Sequence, residues 1–194
     1  MRLFVALDID EVIRQRMHRF VEGVRGFAPD VRFAGSESFH LTLKFIGEQP
    51  PEMMERIKSA LAAVRAEPIE ITFQGYGFFP TPKAARVFWI GTEAVSGLSA
   101  LASAVDDSLT ALGIEKERHA FSPHLTLARA GSGNPRGRAQ SHSSVARFRH
   151  LQEKLAALPP PTFGTMTARE FFLYQSRLSP RGAQYAKLER FPLG

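Results

Sequence analysis

The tetrapeptide His-Leu-Thr-Leu occurs twice in this chain of 194 residues, beginning at His40 and again at His124. Each copy lies at the same distance beyond an apolar segment, because 37 positions separate Leu3 from His40 and 37 separate Val87 from His124. A repeated motif at a constant spacing indicates an internal duplication. The chain is therefore predicted to fold as two similar arrangements of strand and helix.

The pattern of apolar residues predicts the same order of elements before each copy of the motif. A strand at residues 2–8 and a strand at residues 85–91 are each followed by a segment with helical spacing, and each motif is itself predicted to be a strand. We predict a single domain, residues 1–194, built from two similar halves, about 1–80 and 84–194.

The patterns of four further segments predict two helices, a strand and a loop. The helix that begins near Asp10 is predicted to bury a stripe of Val12, Ile13, Met17, Phe20, Val21 and Val24. A second helix is predicted to run from the two prolines at 50–51 to about Ala66. Residues 166–178 are predicted to form one strand, and residues 131–144 a polar, glycine-rich and basic loop.

Composition sets broad limits on the function. The chain has no cysteine, which excludes disulfides and thiolate metal sites. Its first residues lack the pattern of a signal peptide, and no apolar run is long enough to span a membrane. We expect a cytoplasmic protein without a membrane partner. The net charge of +6 favours polyanions such as nucleic acid.

The spacing within the repeated motif places two polar groups side by side. Successive side chains of a strand point to opposite faces, so His40 and Thr42 share one face while the leucines beside them point to the other. His124 and Thr126 have the same arrangement. Two halves related by an approximate twofold axis would bring these two pairs face to face across a cleft.

Two opposed imidazole and hydroxyl pairs suit displacement at phosphorus. Histidine gains and loses a proton near neutral pH, so one of a pair can act as base and the other as acid. The nucleophile and the leaving group lie on opposite sides of the phosphorus, and threonine hydroxyls can donate to phosphate oxygens. Arg129 follows Thr126 by three positions, so a regular strand would turn it to the opposite face, and only a bulge or strand end would let it reach a phosphate.

Other interpretations of these residues stay open at this level. Histidine and threonine on the surface of a strand are compatible with no function, although the matched register argues against it. Two histidines could also ligate zinc, with His119 as a third ligand. Phe79, Trp89 and Tyr174 could stack a nucleotide base, but core packing is the more common role for aromatic residues.

The motifs, taken with their order and spacing, resemble the 2H phosphoesterase superfamily. Within it, the chain is similar to the RNA 2',3'-cyclic phosphodiesterases, also called 2'-5' RNA ligases. The resemblance covers nearly the whole chain and includes RLFVALDI, FHLTLKFIGE, GYGFFPTPKAARVFWIG, FSPHLTLAR and LYQSRLSPRGAQYAKLERFPL. It implies an α+β fold of two pseudo-symmetric lobes, each an antiparallel sheet with helices, around a central V-shaped cleft.

The same resemblance implies the reaction and the roles of individual residues. The family opens a terminal 2',3'-cyclic phosphate of RNA to a 2'-phosphate, with no metal and no cofactor. His40 would be the proton donor and His124 the proton acceptor, with Thr42, Thr126 and Arg129 on the substrate phosphate. The expected partner is RNA or an oligonucleotide with a 2',3'-cyclic phosphate end, and we expect a monomer.

Two alternatives use the same site. One is 2'-5' RNA ligase activity, in which an RNA 5'-hydroxyl replaces water, and the other is a non-catalytic module that binds RNA ends. The chain also departs from the family pattern at Ser122, where relatives often have a larger polar residue.

Overall fold

The computed structural model describes residues 1–93, 96–130, 144–179 and 182–194 of the chain. Helices and strands in this part of the chain surround one main hydrophobic core. Its helices and strands are, in order, β1 (Arg2–Asp8), α1 (Glu11–Val24), β2 (Val31–Phe33), β3 (His40–Glu48), α2 (Met54–Ala62), β4 (Ile69–Phe79), β5 (Val87–Thr92), α3 (Ser96–Thr110), β6 (His124–Ala130), α4 (Ser144–Ala156), β7 (Thr162–Ala168), β8 (Glu170–Ser179) and β9 (Gly182–Pro192).

The strands form two antiparallel sheets. The first sheet has the order β3-β1-β8-β9, and the second has the order β2-β6-β5-β4-β7. Strands β3 and β6, which begin at His40 and His124, belong to different sheets but contact each other. The predicted α+β fold with an antiparallel sheet in each lobe is confirmed, and the two repeated strands lie where the sheets meet.

Each sheet takes strands from both sides of the predicted boundary near residue 80. The order β6-β5-β4-β7 in the second sheet corresponds to the order β3-β1-β8-β9 in the first. Strand β4 precedes that boundary but pairs with β5 and β7, whereas β8 and β9 follow it and extend the sheet of β1. The halves at about 1–80 and 84–194 stay a prediction, and a sheet does not correspond to a half.

Helix α1 buries a narrower stripe than the sequence predicts. Ile13, Met17, Val21 and Val24 are buried at spacings of three and four, which place them on one side of the helix. Val12 is 61% exposed, so its predicted place in the stripe is wrong. It lies one position, or about 100° around the helix, from Ile13.

The predicted strand at residues 166–178 is two strands that belong to different sheets. Strand β7 pairs with β4 in the second sheet, and β8 pairs with β1 and β9 in the first, so the prediction of one strand is wrong. Met166 and Ala168 are buried, and then Phe171 and Leu173, so the alternation changes phase around Arg169. This change of phase marks the point where the chain crosses between sheets.

The second helix is also shorter than predicted. A single 3-10 turn covers Pro51–Met53, and α2 follows it and ends at Ala62 rather than at Ala66. At this end the side chain of Arg65 donates to the carbonyls of Ala62 and Val64, which takes the place of further helical hydrogen bonds.

A buried ion pair connects β3 to α3. Lys44 Nζ lies 2.7 Å from Asp106 Oδ1 and donates to the carbonyl of Glu115 at 2.7 Å, and the two side chains are 3% and 12% exposed. Asp106 also accepts from the backbone N–H of Glu117. The strand that begins with His40 is thereby fixed to a helix of the other half of the chain.

Two further predictions concern the loop at residues 131–144 and the absence of a membrane-spanning segment. The predicted basic loop at 131–144 lies outside the described residues except for its last position, where α4 begins. Among the described residues, no helix is long and apolar enough to cross a membrane.

Candidate active site

The two repeated histidines have the same local geometry. His40 Nδ1 lies 2.7 Å from the carbonyl oxygen of Ser38, and His124 Nδ1 lies 2.7 Å from the carbonyl oxygen of Ser122. A carbonyl oxygen only accepts hydrogen bonds, so these contacts require a proton on Nδ1 in both rings. Nε2 is therefore the nitrogen of each ring that remains available for proton transfer.

A bulge in β6 brings Arg129 to the side of the strand that carries the histidine. Leu127 and Ala128 are both buried in succession, and the pairing of β6 with β5 shifts by one residue at this point. The alternation therefore restarts after Leu127, and Arg129 points to the same face as His124 and Thr126. The regular strand considered in the sequence analysis would have turned Arg129 away.

The same bulge occurs in β3. Leu43 and Lys44 are both buried, the pairing with β1 shifts there, and Phe45 returns to the face of His40 and Thr42. Phe45, which is 60% exposed, therefore occupies the position that corresponds to Arg129 in the other strand. We call the face of each sheet that carries its histidine the cleft face. The two cleft faces match in histidine, threonine and bulge, and differ at the position of Phe45 and Arg129.

Arg129 acts electrostatically on both histidines. Its positive charge contributes to lowering the pKa of His40 and the pKa of His124, although His40 lies in the other sheet. Thr42 and Thr126, two positions beyond the histidines, are half-buried. The five residues predicted as a site from the sequence thus lie on the cleft faces of two contacting strands.

Burial favours the neutral form of His40 at neutral pH. Loss of solvent is the largest cause that lowers the pKa of His40, from 6.5 to about 4. The hydrogen bond with the Ser38 carbonyl and the charge of Asp8 act to raise the pKa, whereas Arg129 and Arg14 act to lower it. A bound anion would act in the same direction as Asp8.

Fewer charged groups act on the pKa of His124 than on that of His40. Burial is again the largest cause that lowers its pKa, the hydrogen bond with the Ser122 carbonyl raises it, and Arg129 lowers it. No carboxylate of the described residues contributes, and the residue opposite His124 in the strand ladder is Gly91, whereas Asp8 lies opposite His40. Asp8, which acts on one ring and not on the other, therefore distinguishes the two histidines.

Aromatic side chains pack around both imidazoles. The ring centroid of His40 lies 4.8 Å from that of Phe4, 5.0 Å from that of Tyr185 and 6.0 Å from that of Tyr174. Phe4 and Tyr174 stack on each other and form, with Phe172 and Ala6, a second small hydrophobic cluster on the cleft face of the first sheet. These rings exclude water from His40, and burial raises the pKa of Tyr174 above its ordinary value.

His124 has corresponding aromatic neighbours in the second sheet. Its ring centroid lies 4.8 Å from that of Phe79 and 6.1 Å from that of Trp89. Trp89 in turn covers Gly77 so closely that a Cβ atom there would lie 2.1 Å from the indole. Of the three aromatic residues considered for base stacking, these two pack against a histidine of the cleft, and Tyr174 is buried beside the other.

Comparison with known proteins agrees with this arrangement. The family model described as LigT like Phosphoesterase matches the chain twice, over residues 7–89 and 90–185. The protein belongs to the LigT-like phosphoesterase family. A relative from Archaeoglobus fulgidus, named RNA 2',3'-cyclic phosphodiesterase, is 34% identical over 191 residues, which cover 98% of this chain and 99% of the relative.

Solved structures of other proteins share this fold. The crystal structure of Escherichia coli LigT complexed with 3'-AMP gives a TM-score of 0.77 at 26% identity and covers 99% of this chain and 97% of that one. A protein from Thermus thermophilus gives a TM-score of 0.76 at 29% identity, with the same coverage. The resemblance to 2H phosphoesterases that the sequence indicates is therefore confirmed.

Asp8 is a further polar residue of this phosphoesterase site, and it was not predicted from the sequence. Arg14 Nη2 lies 2.5 Å from Asp8 Oδ1, and Lys187 donates to the other carboxylate oxygen. Burial alone would raise the pKa of Asp8, but the hydrogen bond from Lys187, the N–H of Ile9 and the two cations outweigh it and lower the pKa. A carboxylate directly after the apolar run from Leu3 to Leu7 was the available signal.

The zinc alternative lacks support in the described part of the chain. No group of three or more histidine, cysteine, aspartate or glutamate side chains there has an arrangement that could hold a metal ion. His119, the third ligand that this alternative requires, is exposed on the segment before β6.

Proposed function

We propose that this protein hydrolyses the 2',3'-cyclic phosphate ends of RNA to 2'-phosphates, with His124 as proton acceptor and His40 as proton donor. The observation that carries the proposal is the matched pair of histidines, each with Nδ1 on a carbonyl so that Nε2 is left for proton transfer, and both acted on by Arg129. The name of the Archaeoglobus fulgidus relative supports the same substrate.

The reaction would proceed by displacement in line. A water molecule attacks phosphorus and gives its proton to Nε2 of His124, while the bond from phosphorus to O3' breaks and O3' takes a proton from Nε2 of His40. Arg129, Thr42 and Thr126 hold the non-bridging oxygens, where negative charge increases in the transition state. The product has a 2'-phosphate and a free 3'-hydroxyl, and the two histidines return to their starting states by proton exchange with water.

The charge of Asp8 supports the choice of His40 as donor, although burial lowers the pKa of both histidines. A donor must be charged when the reaction begins, and burial favours the neutral ring of His40. The negative charge of the substrate phosphate favours the protonated ring, and Asp8 adds to this effect only at His40. Protonation of His40 is therefore expected to accompany substrate binding.

We further propose that one chain forms the complete site, because β3 and β6 both belong to it, and that the enzyme acts as a monomer on RNA in the cytoplasm. Turnover of a 2',3'-cyclic mononucleotide, followed by chromatography of the product, tests the function. A 2'-phosphate is the expected product. Absence of turnover, or a 3'-phosphate, would contradict the proposal, and so would activity that EDTA abolishes and zinc restores.

Replacement of Asp8 by asparagine is expected to change the pH dependence of the reaction. The variant loses the negative charge that raises the pKa of His40, so His40 loses its proton at lower pH. The alkaline limb of kcat, which reports the enzyme–substrate complex and requires charged His40, should therefore move to lower pH, and kcat at pH 7 should fall several-fold. Glu11→Gln is a matched control, because Glu11 also contacts Arg14 but is largely exposed. An unchanged alkaline limb in the Asp8 variant would refute the role of this carboxylate.

A further inference from the structure

The short strand β2 adds a second arginine beside Arg129. Strand β2 pairs with β6 so that Arg32 lies directly opposite Arg129 in the antiparallel ladder. Residues directly opposite each other in such a ladder have side chains on the same face. Val31 is buried and Arg32 is exposed, as expected if Arg32 shares the cleft face with Arg129.

These two arginines have no anionic partner among the described residues. Two cations nearer the core do have one: Arg14 pairs with Asp8, and Lys44 pairs with Asp106. In the part of the chain that the structure describes, neither Arg32 nor Arg129 makes an ion pair or a side-chain hydrogen bond. Two like charges directly opposite each other in a ladder destabilise a sheet, so an anion bound between them would stabilise this pair.

Strand β2 is also the element that makes the two sides of the cleft unequal. It extends the second sheet beyond β6, whereas the corresponding strand β3 is the edge of the first sheet. Among the described strands, Arg32 therefore has no counterpart on the side of His40. Its Nη1 atom lies 3.8 Å from the position of a Cβ atom at Gly182, where β9 of the first sheet begins. The side chain thus extends from the second sheet towards the first.

We propose that Arg32 binds the phosphate on the 5' side of the nucleotide that carries the cyclic phosphate. The inference depends on the proposed function, since it takes Arg129 to hold the reacting phosphate. Successive phosphates of one RNA strand would then meet successive arginines on neighbouring strands, whose Cα atoms in such a ladder are about 5 Å apart. The preferred substrate is accordingly an oligonucleotide, because a cyclic mononucleotide lacks this second phosphate.

Kinetics on two substrates test the subsite. With a dinucleotide that ends in a 2',3'-cyclic phosphate, Arg32→Ala is expected to lower kcat/KM about tenfold, the usual effect of losing one charge-assisted hydrogen bond. With a cyclic mononucleotide that has no 5'-phosphate, the variant should equal the wild type. Arg32→Lys should retain part of the affinity for the dinucleotide. On longer RNA the salt dependence of binding should become shallower by about one unit of slope.

Arg19→Ala is the matched control, because it removes the same charge from the exposed side of α1 and should leave both substrates unaffected. An equal loss on both substrates for Arg32→Ala would place Arg32 at the reacting phosphate, and no loss on either would remove it from the site. Both results overturn the inference.

A binding measurement separates this inference from the proposed function. If the wild type fails to hydrolyse either substrate, the proposed function fails, and the inference can still be judged from the affinity for a 2'-phosphate dinucleotide and for a 2'-phosphate mononucleotide. Selective weakening of the dinucleotide by Arg32→Ala supports the subsite. Equal affinities of variant and wild type for the dinucleotide refute it.

Discussion

Replacing either His40 or His124 by alanine is expected to lower kcat/KM for a cyclic-phosphate substrate by roughly 10²–10⁴, the usual contribution of a positioned proton carrier. Each variant loses one of the two proton transfers and keeps Arg129 and both threonines for binding. The double variant should cost less than the product of the two single losses, because the two groups act in one step. Initial rates on a cyclic mononucleotide and on a short oligonucleotide measure all three effects.

His18 provides the control for these variants. It lies on the exposed side of α1, so His18→Ala removes an imidazole without touching the cleft and should leave the rate unchanged. Thr42→Ala and Thr126→Ala are expected to reduce the rate by only about tenfold, because each removes one neutral donor rather than a proton carrier. A loss below tenfold for either histidine would be incompatible with acid–base catalysis by that residue.

Asp106→Ala is expected to lower the free energy of unfolding by about 3–5 kcal/mol, the effect of leaving one charge of a buried pair without its partner. Lys44 is almost fully buried, and its remaining contact would be the carbonyl of Glu115. Activity should fall as well, since Lys44 follows the bulge that sets the face of β3. Urea denaturation measures the stability of the variant.

The neighbouring residue offers a control for this measurement. Asp107 pairs with Lys116 on the exposed surface, so Asp107→Ala should change stability far less than Asp106→Ala. A double variant, Lys44→Met with Asp106→Leu, should recover most of the loss because no buried charge remains. Equal effects of the two aspartate variants would show that burial does not determine the cost.

The sequence predicted the local features of the site because they depend on local spacing. The repeated motif identified the strands that begin at His40 and His124, and alternation identified the polar face of each. The face of Arg129 could not be assigned, because the bulge at Leu127 depends on pairing with β5. Two apolar residues in succession, Leu127 and Ala128, were the local sign of that bulge.

The pairing between distant strands could not be predicted either, because it also depends on the partner strand. Nothing in β4 shows that it pairs with β5 and β7, while β8 joins β1, because hydrophobic alternation records burial and not the identity of the partner strand. Asp8 and Arg32 were missed because their importance comes from what lies opposite them in the ladder, His40 and Arg129. The low pKa of His40 likewise depends on rings from strands far apart in sequence.

Hydrolysis of a 2',3'-cyclic substrate with sulfur in place of O3' tests the central claim most directly. A thiolate leaves without a proton, so this substrate should restore His40→Ala to a rate near that of the wild type, while His124→Ala should stay slow because its water still needs a base. Rescue of His124→Ala instead would reverse the two roles. Equal rates of wild type and both variants on the ordinary oxygen substrate would contradict catalysis by the two histidines altogether.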